Sequence, residues 1–339
     1  MISWWRVLVA VVIAVVLALV GAALLIFQRP AGRSTTVAVP AAAGTSHVLS
    51  GVKGYLFVSE VPGSHYGELA FASETGTAVS SRTFTGLHCT RVSTAAGRVL
   101  CLRESLDGAL PTHQAVILDD QLHELHRFDV AGTPSRARIS ADGAIASWTV
   151  FVYGDSYLSV GFSTRTSVFD LRTAALIGSL ETFRIIKDGH RYASPDVNFW
   201  GVTVAPDDTV FYATMSTKGH TYLVRGDLAT RTLTTLTSNV ECPSLSPDGS
   251  RIAFKKRVNE QGGRVPWRLY VLDLATLHQT PLAEQHSVDD QAVWLDNHTI
   301  AYSRPVVGTS TDNVWSTPAD GSGTPSQLIT GAASVAPLG

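Results

Sequence analysis

The chain has 339 residues, 45% hydrophobic and only 16% charged, enough apolar material for one large core or two ordinary ones. Its formal net charge of -2, with Lys and Arg scattered rather than blocked, leaves no basis for a nucleic-acid partner or for bulk attraction to anionic lipid. Function therefore has to be sought in local patterns.

The first pattern is the uncharged run "VLVAVVIAVVLALVGAALLIF", Val7 to Phe27. At about 1.5 Å per helical residue it spans a hydrocarbon core of roughly 30 Å. A cleaved secretory signal has a shorter apolar region followed closely by a small-residue site, whereas Ala41-Ala42-Ala43 lies well downstream. Residues 1–30 thus predict an uncleaved, single-pass transmembrane signal anchor. Arg6 on one side and Arg29 and Arg33 on the other leave the orientation open. Residues 31–46, rich in Ala, Pro, Thr, Ser and Gly, predict a flexible linker.

From residue 47 onward a unit recurs: an apolar run, a turn around Gly, Asp or Asn, and a second apolar run. Its six copies are "VLSGVKGYLFVSE" from 48, "TRVSTAAGRVLCLR" from 90, "RARISADGAIASWT" from 136, "GVTVAPDDTVFYAT" from 201, "CPSLSPDGSRIAFK" from 242 and "QAVWLDNHTIAYSR" from 291. Each reads as an antiparallel hairpin. Each is followed by a third strand, such as "HQAVILDDQL" or "WRLYVLDLATLHQT", and a fourth, such as "HELHRFDV" or "LTTLTS". Four strands repeated six times predict an all-β fold, a six-bladed β-propeller of four-stranded antiparallel blades over residues 47–339, preceded by the transmembrane helix. The terminal "GAASVAPLG", residues 331–339, falls where another innermost strand is due and is expected to pair with the first strand of the domain and close the ring. Two stacked sandwiches would have no use for such a remnant.

The stretches "LSPDGSRIAFKKR" and "WRLYVLDLATLHQTPLA" resemble the repeat of TolB-like six-bladed propellers and, more loosely, the propeller part of prolyl oligopeptidase-type enzymes. The resemblance is sharpest between residues 240 and 285 and implies a fold rather than a chemistry. In TolB proper an α/β domain precedes the propeller, where this chain has the apolar run and the linker. The peptidases need a separate hydrolase domain with a Gly-x-Ser-x-Gly elbow, and that pentapeptide does not occur in this sequence.

No catalytic constellation, metal set, phosphate loop or cofactor motif stands out, so no catalytic residue and no cofactor is predicted. His123 and His126 lie three apart on a strand and point to opposite faces. Asp119-Asp120 and Asp207-Asp208 read as turn chemistry, and the Asn297-His298-Thr299 sequon falls in a turn. The polar residues that open the innermost strands should crowd one mouth of the central channel: His88, Arg136, Asn198, Glu241 and Asp290, with Trp200 nearby. The long segment 184–200 between blades is a further candidate for function.

Cys89 and Cys101 flank the turn "STAAG" of the second copy, so that facing positions put them within reach of a disulfide, while Cys242 has no partner and stays free. A one-residue slip in register would leave three buried thiols instead. A disulfide implies an oxidising compartment and would place the propeller on the extracytoplasmic side of the cell membrane. The expected function is a non-catalytic, membrane-tethered propeller that binds a protein partner or cell-envelope ligand at the channel mouth. The alternatives are a propeller hydrolase or lyase using channel residues, and a structural accessory subunit of a membrane complex.

Overall fold

The computed structural model describes residue 49 and residues 51–75, 78–79, 82–105, 112–152, 163–258 and 267–339. The predicted anchor and linker lie outside the described residues; no helix among those described is long and apolar enough to cross a membrane.

The described strands form six sheets, each the blade of a propeller. From the axis outward, blade 2 runs Arg91–Ala95, Arg98–Ser105, Thr112–Asp119 and Glu124–Val130. Blade 3 runs Thr133–Ile139, Ile145–Val152, Ser163–Asp170 and Ala175–Ile177. Blade 4 begins with Asn198–Val204, Val210–Thr217, His220–Asp227 and Thr232–Ser238. Blade 5 has Glu241–Leu245, Arg251–Arg257, Trp267–Asp273 and Gln279–Pro281, and blade 6 Val293–Trp294, Thr299–Pro305, Asp312–Pro318 and Ser326–Ile329.

Blade 1 is the composite one. Its innermost strand is the C-terminal Ala332–Leu338, paired antiparallel with Gly54–Ser59 in the register Gly54↔Leu338 to Ser59↔Ala332. Glu68–Thr75 follows, and then Thr83–His88 on the outside, with the short Ala78–Val79 beside it. The ring is therefore closed by strands from both ends of the propeller sequence. Two boundaries shift from the sequence reading. Among the described residues before Gly54 none forms an inner strand, because that slot is filled from the C-terminus; Leu49 instead bonds through its N–H to the Asp120 carbonyl of blade 2 (2.8 Å). Among the described residues the outer strand is Thr83–His88, where the sequence reading placed the fourth strand of this blade at "TAVSSRTF", 77–84.

Period-two alternation explains why blades rather than sandwiches form. On the second strand of blade 2, Val99 and Cys101 face blade 1 while Leu100 and Leu102 face blade 3. On that of blade 1, Leu56 and Val58 pack toward blade 2 and Tyr55 and Phe57 toward blade 6. These second strands thus have two apolar faces, and six apolar clusters fill the six gaps between neighbouring blades.

The recurrent turn has a definite chemistry. In Ser246–Gly249, the Asp248 carboxylate accepts from the Ser246 hydroxyl (2.5 Å) and the Ser250 N–H (3.0 Å), the Ser246 oxygen caps the Arg251 N–H (3.0 Å), and Gly249 takes φ +71. Ser140–Gly143 repeats it bond for bond, with Gly143 at φ +77. In blade 4 Asp208 stands at the glycine position with φ +52, and Asp207 caps the N–H groups of Thr209 and Val210. Asp119 likewise accepts from the N–H groups of Gln121 and His123.

Segment 184–200 has a structural task. Arg184–Lys187 and His190–Tyr192 form a hairpin whose first strand lies parallel to Thr232–Ser238, so blade 4 is six-stranded. Buried Phe183 and Ile185 hold it over what would be an exposed outer edge.

Cys89 and Cys101 are joined (S–S 2.09 Å, Cα–Cα 5.5 Å), though not as a facing ladder pair. Cys101 stands opposite Val92, and Cys89 lies just ahead of the strand, its N–H bonded to the Gly67 carbonyl of blade 1. The bridge clamps the crossing from blade 1 to blade 2. Replacing both cysteines by Ala is expected to cost about 2–3 kcal/mol from this short loop, measured by denaturant unfolding of the oxidised parent and the variant. A midpoint shift below a few tenths molar urea would show that packing alone holds this crossing. Cys242 is free and buried.

Candidate functional site

The inner strands leave one edge facing the axis, and side chains from the neighbouring blade satisfy much of it. Ser93 accepts from the Ile139 N–H (3.1 Å), Thr203 from the Leu245 N–H (3.1 Å) and Ser334 from the Val92 N–H (2.9 Å); the Trp294 indole donates to the Ser244 carbonyl (2.8 Å). Inner strands bulge at Gly201, Cys242 and Ser334, all with positive φ. A Cβ on Gly201 would come 2.8 Å from the Cys242 Cα, so only glycine permits these two bulges to nest.

What remains on the axis is a cavity of about 210 Å³, lined by inner-strand residues of all six blades. Its charged lining is unequal: Arg91, Arg136 and Arg138 against Asp290. Arg91 donates to Asp290 (3.2 Å), whose other oxygen accepts from the Ser303 N–H (3.0 Å). Burial acts to raise the Asp290 carboxyl, but Arg91, Arg136 and Ser303 overcome it and hold the group below the usual carboxylate range. Arg136 donates through Nε to the Cys242 sulfur (3.2 Å) and through Nη1 to the Ser135 carbonyl (2.9 Å). Although burial works against its charge, the Cys242 sulfur, Asp290 and Asp289 keep it above the ordinary arginine value. Arg138 reaches across from blade 3 to donate to the Ser244 hydroxyl and the Ala292 carbonyl, both at 3.1 Å. Its Nε–H is buried with no hydrogen-bond partner among the described residues, and burial pulls the guanidinium down to about 10, with Asp290 offsetting only part of the effect.

At the mouth, Asp289 is 66% exposed, bonds the Lys255 ammonium and lies 4.0 Å from Arg136. Lys255 and Arg257 sit over the Trp267 ring, 4.3 and 4.7 Å from its centroid.

Of the six predicted mouth residues, Arg136 and Asp290 line the cavity and the other four do not. His88 ends the outer strand of blade 1 and is exposed, because the chain crosses to blade 2 after it. Asn198 clamps two blades, its side-chain oxygen accepting from Thr164 N–H (3.0 Å) and the Ser163 hydroxyl (3.1 Å). Trp200 is buried. Glu241 is buried too, 3.9 Å from Lys255 and 3.5 Å from Arg257; burial raises its carboxyl and these two cations counter only part of that.

Sequence reasoning missed Arg91, Arg138, Lys255 and Trp267. Arg138 was within reach of it, since "RAR" on an inner strand puts residues 136 and 138 on one face. His123 pairs with Asp119 (3.3 Å) while His126 packs on Phe169 (4.9 Å between rings), so the two stand apart. Among the described residues, no three His, Cys, Asp or Glu side chains form a group that could hold a metal ion.

The six-bladed ring is the fold shared with TolB. The structure of TolB from Acinetobacter baumannii is similar to this chain with a TM-score of 0.55 at 17% identity, over 86% of this chain and 67% of that one. A putative TolB from Agrobacterium tumefaciens gives 0.50 at 12% identity, over 82% and 88%. A chain of the nidogen/laminin complex gives 0.54 at 11% identity, over 84% and 98%. No family model matches the sequence, and no curated protein does. The chain is a TolB-like six-bladed propeller in fold.

Proposed function

We propose that this chain is a non-catalytic binding module, a membrane-tethered propeller on the extracytoplasmic side that holds a protein partner or cell-envelope ligand at its channel mouth. The observation that carries the reading is the charged, aromatic-flanked cluster of Asp289, Lys255, Arg257 and Trp267, joined through Arg136 to the lining of an axial cavity. The Cys89–Cys101 bridge supports an oxidising compartment, and the apolar run Val7 to Phe27 supports a tether there. That a similar chain occurs in the nidogen/laminin complex fits use of such a ring as a protein-binding surface.

Affinity capture of the full-length protein in detergent, followed by mass spectrometry, tests the reading. Asp289→Asn and Arg257→Gln alter exposed mouth groups and are expected to weaken capture of a stoichiometric partner about tenfold, with melting changed by less than a few degrees. Equal capture by parent and both variants would move the binding surface elsewhere. Glu241 and Asp290 are unsuited to this test: both are buried beside cations, so their removal is expected to destabilise the ring.

A further inference from the structure

The cavity charges divide into two corners. Arg91 is already neutralised, since it faces Asp290 directly and Glu60 and Asp312 lie close enough to act on the same pair. Arg136 is compensated by the Cys242 sulfur, Asp290 and Asp289, whereas at Arg138 burial outweighs the nearby Asp290 and Cys242. Arg138 has only neutral acceptors, Ser244 and Ala292, and no carboxylate within ion-pair distance among the described residues. Arg136 meets Asp289 only at 4.0 Å, and that carboxylate is shared with Lys255. Two arginines at alternate positions of one strand point the same way into a low-dielectric space, where like charges repel and each loses hydration. Buried arginines are rarely left without an anionic partner.

We propose that the axial cavity binds a small oxyanion, a carboxylate or phosphate group, held by the guanidinium groups of Arg138 and Arg136. Arg138 and the inner-strand Ser93 both line this cavity, and the Arg138 guanidinium carries a buried Nε–H with no partner among the described residues. Ser93 accepts from the Ile139 N–H, which leaves its own proton to donate. Planar guanidinium forks suit the paired oxygens of either anion, and a cavity of about 210 Å³ accommodates such a group with water. The burial of Arg138, which pulls its guanidinium down to about 10, is relieved by an anion at this point. The inference rests on reading the channel as a binding site and specifies the chemistry of what enters it.

The competing role is mechanical: Arg138 bonds across the axis to residues of blades 5 and 6, as a strut would. Full-length protein in detergent is titrated with inorganic phosphate and, separately, with citrate, followed by thermal melting and calorimetry, with KCl at matched ionic strength as the control. The expected result is a saturable rise in melting temperature of several degrees with at least one of the two anions and none with KCl. Arg138→Met and Arg136→Met are each expected to weaken that binding about tenfold or more. A response in the parent no different from KCl overturns the proposal, as does unchanged affinity in folded Arg138→Met and Arg136→Met. Should either variant fail to fold, the parent titration alone decides between anion site and strut. Loss of anion binding in a protein that still captures its partner removes only this inference, whereas saturable anion binding without any partner would leave the site and discard the protein-partner reading.

Discussion

Removal of residues 332–339 is expected to abolish cooperative folding of the propeller. The strand Ala332–Leu338 pairs along Gly54–Ser59, buries Ala332, Ala333, Val335 and Ala336, and ties blade 1 to blade 2 through the Ser334 hydroxyl and the Val92 backbone. Its loss strips one wall from the axial cavity and exposes a full strand edge on blade 1. Single substitutions cost about 0.5–3 kcal/mol and whole domains hold about 5–15, so deletion of an entire ring-closing strand is of the order of the whole folding free energy. The truncated chain should be insoluble or lack a cooperative melt by circular dichroism. Melting within about 5 °C of the parent would mean that the other five blades are self-sufficient and that the terminal strand is ornamental.

The second large effect is expected at Gly226. It faces Phe211 across the second and third strands of blade 4, counted from the axis, and a Cβ there would fall 2.1–2.6 Å from three atoms of the Phe211 ring. Phe211 is fully buried in the cluster between blades 3 and 4 and has nowhere to retreat. Gly226→Ala should therefore destabilise by about 3 kcal/mol or more, the upper end of overpacking in a dense core. Trimming the ring makes room, so Phe211→Leu in the Gly226→Ala background should recover part of the loss although Phe211→Leu alone destabilises. Denaturant unfolding of the four proteins forms a double-mutant cycle. Additive effects would show that the two side chains do not compete for one space.

Both experiments bear on the site as well as the fold. The cavity lining comes from six short inner strands. Any change that loosens one blade displaces arginines contributed by another, because Arg136 and Arg138 bond to Cys242, Ser244 and Ala292 across the channel. Stability and binding measurements on the same variants are therefore needed to separate a lost contact from a lost ring.

The sequence by itself determined the blade. Alternating apolar residues on both faces of each strand, and Ser-x-Asp-Gly turns whose side chains cap their own backbone, are local facts that survive in any context. Six hairpin units, two of them with that turn, and a leftover strand were enough to require a closed ring. The tertiary structure alone decided which polar residues meet at the axis. A residue's place there depends on where the preceding outer strand ends: His88 falls on the rim because blade 1 takes its inner strand from the C-terminus and its outer strand runs to residue 88. Bulges at Gly201, Cys242 and Ser334 then re-aim the side chains that follow, and a bulge is a non-local compromise between a strand and the blade packed beside it. Segment 184–200 shows the same limit, since its length was legible but the edge it covers belongs to a strand more than forty residues later. The uncompensated charge of Arg138 is likewise a property of the assembled ring, because only closure removes the water that would otherwise solvate it.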